Sequence, residues 1–102
     1  MIEHIGILTL APGAPADTRG RIRDGLASLV GVVPGLVDVL TRGDLGLKEG
    51  NGSLVFRMHF ETSDDWRGYF GHPAHVAVSH ELIQPFTVGY LFLQVEPEGD
   101  YA

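Results

Sequence analysis

Hydrophobic and polar residues are spaced along this chain in two distinct rhythms. Residues 2 to 10, Ile-Glu-His-Ile-Gly-Ile-Leu-Thr-Leu, are rich in β-branched and apolar types and stop at the breaker-rich Ala11-Pro12-Gly13-Ala14-Pro15, which predicts a strand and a turn. From Asp17, a suitable N-cap, the apolar residues Ile22, Leu26, Leu29, Val30 and Val33 recur at helical spacing, until Val32-Val33-Pro34-Gly35 stops the stripe. Leu36 to Leu40 reads as a short second strand, followed by a glycine-rich polar connection from Arg42 to Ser53. Ser53 to Glu61 alternates: Leu54, Phe56, Met58 and Phe60 on one face, Val55, Arg57, His59 and Glu61 on the other. The first set is the expected core face.

Thr62-Ser63-Asp64-Asp65 predicts a helix start with acidic residues favourably placed against the helix dipole, and Gly71 ends that helix. Pro73 suits the first position of another, which carries His75, Val76, Val78, His80, Leu82 and Ile83 before Pro85 closes it, with Val76 and Leu82 expected toward the sheet. Thr87 to Glu96 is a last strand whose two faces are both apolar. A strand with one wet face would alternate with polar residues, so this run predicts a sheet covered on both sides.

The order β, α, β, β, α, α, β predicts an α+β, ferredoxin-like fold: a four-stranded antiparallel sheet with helices on one face. One chain has helices for one face only. A second copy laid against the bare face would complete a dimeric α+β barrel, so a homodimer is expected.

Composition narrows the function. A chain of 102 residues allows a single domain, residues 1 to 102, and 44% apolar with 20% charged residues is an ordinary globular balance. No run of about 18 apolar residues suggests a membrane span, and the acidic start does not read as a targeting segment, so the cytoplasm is the expected location. The absence of cysteine excludes disulfides, thiolate metal sites and cysteine nucleophiles. A net charge of −6 with seven dispersed Lys and Arg argues against nucleic acid or an anionic membrane as partner. The glycines between 43 and 52 lack the pattern of a phosphate loop, and Ser53, Ser63 and Ser79 lack the glycines of a nucleophile elbow.

Several segments together resemble the stress-responsive α/β-barrel, or Dabb, family. They are His4-Ile5-Gly6-Ile7-Leu8, the Val33-Pro34-Gly35 break, the Phe60-Glu61 strand end and, most specifically, Tyr69-Phe70-Gly71-His72-Pro73-Ala74-His75-Val76. The resemblance spans nearly the whole chain. It implies the barrel fold and the dimer, and, through the family's plant polyketide cyclases, an intramolecular aldol-type condensation without metal or organic cofactor. In those enzymes a tyrosine and the second histidine of the His-Pro-x-His segment work with a first-strand and a third-strand histidine. Tyr69, His75 and His4 match the first three; the fourth position is Leu54.

The expected catalytic residues are therefore His75 as general base, Tyr69 as hydrogen-bond donor to a developing oxyanion, and His4 as an orienting polar group. Leu54, Phe56, Gly6 and Leu8 are expected to bind a small apolar substrate, with the small Gly6 leaving room for it. Each has a plainer reading in packing: His75 bonded to a carbonyl near a helix start, Tyr69 and His4 as core residues. His72 reads as a helix-start residue, and His72 with His75 makes too poor a ligand set for a metal. His59 and His80 read as surface histidines, and Trp66 as packing. The leading expectation is a cofactor-independent acid/base enzyme on a small carbonyl compound. The alternatives are a non-catalytic, ligand-binding, stress-associated dimer and a cofactor-free monooxygenase of the same architecture. A reaction site requires a cavity of roughly 300 Å³ or more between helices and sheet.

Overall fold

A computed structural model describes residues 1–98. It contains strands β1 (Ile2–Leu10), β2 (Leu36–Gly43), β3 (Leu54–Phe60) and β4 (Thr87–Val95), and helices α1 (Thr18–Ala27), α2 (Ser63–Gly71) and α3 (Pro73–Val78). The strands form one antiparallel sheet in the order β2-β3-β1-β4, the ferredoxin-like arrangement, with the helices on one face. Among the described residues no helix is long and apolar enough to cross a membrane.

The core lies between that face and the helices. Alternation along β3 places Leu54, Phe56, Met58 and Phe60 inward, where they meet Leu8 of β1, Ile22 and Leu26 of α1, and Leu29 and Val33 beyond it. Gly25 lets the last helical stretch approach α1: a Cβ there would lie 2.5 Å from Leu82 Cδ1. Thr62 caps α2 by accepting from the Asp65 backbone N–H at 3.1 Å.

Three boundaries and the bonding of one cap differ from the expected ones. The apolar stripe continues to Val33, but α1 ends at Ala27. Gly31, at φ +84°, turns the chain while Leu29 and Val33 still reach the core, and Val30 faces solvent. Asp17 makes no side-chain cap; Thr18 Oγ1 instead donates to the Pro15 carbonyl. β2 runs on to Gly43, because Thr41, Arg42 and Gly43 pair with Phe56, Val55 and Leu54, and that ladder overrides the polar local composition. After α3 the helix widens to a π turn over Ser79–Ile83, then tightens to a 3₁₀ turn over Gln84–Phe86 around Pro85. Val76, in α3 ahead of these turns, is exposed and not against the sheet, while Leu82 remains packed on the core.

Among the described residues the other sheet face has no helices. Ile7, Leu40, Leu91 and Leu93 lie on it exposed, around a charged cluster in which Glu3 accepts from Arg57 Nη2 at 2.8 Å and pairs with His59 Nε2 at 2.7 Å. Glu3 is itself buried. His59 Nδ1 pairs with Asp38 of β2, so His59 is a half-buried bridge between two carboxylates, not a free surface histidine. Those carboxylates, Asp38 foremost, raise its pKa above the ordinary value against an opposing effect of burial.

Candidate functional site

Between the helices and the inward face of β1, β3 and β4 opens a cavity of about 630 Å³, a size suited to a small organic ligand. His4 enters it from β1, because it shares the inward strand face with Gly6 and Leu8. Tyr69 comes from the last turn of α2 and His75 from the first turn of α3. The break between these helices is set by Pro73 at the first helical position and by His72, whose Nδ1 accepts from the Ala74 N–H at 3.1 Å. His72 and His75 thus both commit Nδ1 to the backbone. Among the described residues no cluster of three or more His, Cys, Asp or Glu is arranged to hold a metal.

The Tyr69 and His75 rings lie with centroids 3.9 Å apart. His75 Nδ1 donates to the Phe70 carbonyl oxygen at 3.3 Å. A carbonyl only accepts, so the proton sits on Nδ1 and the Nε2 lone pair is left free. Burial lowers the His75 pKa, backbone carbonyls partly oppose this, and the nearby His72 lowers it further. Tyr69 is only 3% exposed, and burial raises its pKa, so its hydroxyl keeps its proton.

His4 is buried among aromatic rings. Phe92 stacks on it at a centroid distance of 5.7 Å, and Phe56, Tyr69 and Phe70 lie within 6.0 Å. Burial, reinforced by repulsion from His75, brings its pKa down to about 4. At neutral pH it is uncharged.

Of the four expected substrate-binding residues, Leu8 and Phe56 line the cavity. Leu54 does not: it is buried in the core further along β3 and borders a separate depression near Asp44 and Asn51. Gly6 leaves room for the Phe56 ring, since a Cβ there would lie 2.2 Å from Phe56 Cε2. The inward face of β3 carries no histidine. Trp66 packs against the core beside His4, at a centroid distance of 6.1 Å, and does not line the cavity.

Sequence reasoning missed the cavity's β4 wall of Tyr90, Phe92 and Gln94 and the polar Ser79 and Gln84 at its helical side. Gln94 had a faint signal: it is the one polar side chain after Thr87 in the strand and shares a face with Tyr90 and Phe92. Its amide nitrogen lies 3.1 Å from His4 Nδ1.

The fold recurs in solved structures. A dimeric ferredoxin-like protein of unknown function from Thermobifida fusca is 26% identical, covers 92% of this chain and 88% of its own, and superposes with a TM-score of 0.80. The hydroxynitrile lyase of Passiflora edulis is 14% identical with a TM-score of 0.83, covering 99% of this chain and 96% of its own. SnoaB, a cofactor-independent oxygenase from Streptomyces nogalater solved as a point mutant, is 15% identical with a TM-score of 0.73, covering 97% and 94%. No curated protein matches the chain in sequence. The model of the stress responsive A/B barrel domain matches residues 2–95, and with the sheet order and the His-Pro-x-His helix junction in place, this chain belongs to that family.

Proposed function

We propose that this protein is a cofactor-independent acid/base enzyme that moves a proton at a carbon next to a carbonyl in a small, largely apolar molecule, and that it works as a homodimer. One observation carries the reading: in an apolar cavity, His75 has its Nδ1 proton tied to the Phe70 carbonyl and its Nε2 lone pair free, beside the protonated hydroxyl-bearing ring of Tyr69. The lone pair takes the proton, and Tyr69 donates to the oxygen on which charge develops. The hydroxynitrile lyase and the cofactor-independent oxygenase of similar fold support a catalytic use of this architecture. Aldol-type cyclisation of a polyketide is the best template. The reading relies on two or three groups, since the template's third-strand histidine is Leu54, outside the cavity.

The dimer is supported by the sheet's uncovered apolar face and by solved relatives described as dimeric. A second reading, a non-catalytic ligand-binding dimer, is favoured by the same His75 to Phe70 bond, which also serves to hold the α2 to α3 junction.

The two readings part on a generic carbon acid. Base-promoted ring opening of 5-nitrobenzisoxazole removes one C–H proton, breaks the N–O bond and leaves the electron pair on a phenolate oxygen, so it reports a base in an apolar cavity. The wild type should accelerate it, and His75→Ala should lower the rate by about 10² to 10⁴-fold while the fold persists. An unchanged rate with a lowered melting temperature would leave His75 a structural residue.

A further inference from the structure

The two cavity histidines are held in opposite tautomers. The partner of His4 Nδ1 is the Gln94 amide nitrogen, 3.1 Å away, and an NH₂ group has protons to give and no lone pair to offer. His4 Nδ1 must therefore accept, and its single proton sits on Nε2. His75 is the converse, with Nδ1–H donating to the Phe70 carbonyl and Nε2 bare.

The pair is set by the sheet. His4 and Gln94 are direct cross-strand partners on β1 and β4, and both face the cavity. Protonating His4 would set an N–H against the Gln94 N–H, which adds to the cost of charging a ring buried among Phe56, Tyr69, Phe70 and Phe92. Any guest thus meets one imidazole that gives a proton and one that takes one. That combination suits a ligand with an acceptor oxygen beside an acidic C–H or O–H, such as an enolisable carbonyl compound, and disfavours a cationic amine.

We propose that Gln94 is a positioning residue that holds His4 as its Nε2–H tautomer, making His4 a hydrogen-bond donor to the oxygen of the ligand and leaving proton acceptance to His75. This deepens the reading of the cavity as an acid/base site and rests on it for the ligand class alone.

Two-bond ¹H–¹⁵N correlation spectra of ¹⁵N-histidine protein at pH 7 read the tautomers directly, with His4→Phe identifying the His4 signals. The wild type should show His4 protonated on Nε2 and His75 on Nδ1. In Gln94→Glu the carboxylate can only accept, so His4 should switch to Nδ1–H and titrate at higher pH; in Gln94→Leu the two tautomers should mix; His75 should be unchanged in both. A wild-type His4 carrying its proton on Nδ1, or one indifferent to Gln94→Glu, overturns the proposal.

The ligand side is read by shift titration with acetophenone and its oxygen-free isostere 2-phenylpropene. The wild type should favour the ketone by a few-fold to about tenfold, and Gln94→Glu should bring the ratio toward one. An equal preference in both proteins removes His4 as a donor. Because neither measurement needs turnover, correct tautomers in a protein inert toward benzisoxazole sink the proposed reaction alone. Wrong tautomers in an active protein sink this inference alone.

Discussion

The imidazole of His75 and the phenol ring of Tyr69 lie 3.9 Å apart, centroid to centroid, at an interplanar angle of 36°. This contact spans the break between α2 and α3, so the His72-Pro73 junction that starts α3 also brings an imidazole and a phenol side by side.

The pairing makes the roles separable by kinetics. Tyr69→Phe keeps the ring and loses the donor, so it should lower benzisoxazole opening on the order of 10²-fold without shifting the pH profile. That profile belongs to His75. Burial depresses its pKa, so the midpoint of the acid limb should lie below 6.5. A midpoint at or above 6.5 would assign the base elsewhere.

Stability should peak near pH 6.5. His4 has a folded pKa of about 4 against 6.5 unfolded, so on acidification the unfolded chain takes up the proton first and stability is lost between 6.5 and 4. His59 is raised above 6.5 by Asp38 and Glu3, so its contribution is complete below 6.5 and is lost as pH rises through its folded pKa. Melting temperatures at pH 5, 6.5 and 8 test both limbs: His59→Gln should flatten the alkaline one and His4→Phe should shallow the acid one.

Gly6 is required by a neighbour, not by a ligand. Gly6→Ala drives a methyl into the Phe56 ring at 2.2 Å, an overpacking that should cost about 1–3 kcal/mol. For a domain of this size that corresponds to a fall of roughly 4–8 °C per kcal/mol in thermal unfolding. A melting temperature equal to that of the wild type would mean the ring moves freely, and with it the cavity wall.

The uncovered sheet face is testable by charge. Leu91 is 61% exposed in the single chain and points away from the helices beside Leu93, two residues along on the same face. Lysine at both positions should convert the proposed dimer to a folded monomer in sedimentation velocity experiments. A double variant that sediments as the wild type does would place the dimer contact on another surface.

Read alone, the chain disclosed what depends on near neighbours in sequence. The alternation of Leu54, Phe56, Met58 and Phe60, the helix start at Thr62 to Asp65, Pro73 at another and the two-sided apolar run of β4 are local signals, and each reappears in the fold. His4, Tyr69 and His75 were legible through the resemblance to a family with a first-strand histidine, a tyrosine and a His-Pro-x-His segment, and the tertiary structure brings all three to one cavity. What the fold alone decided is pairwise and distant. Gln94 meets His4 across 90 residues of sequence, Gly6 makes room for Phe56, and buried Glu3 gathers Arg57 and His59. β2 runs past its apolar residues because β3 supplies the partners. Registers of this kind minimise a free energy summed over both strands, so no single segment contains them. For that reason the donor or acceptor character of His4 is a property of the sheet and not of the residue.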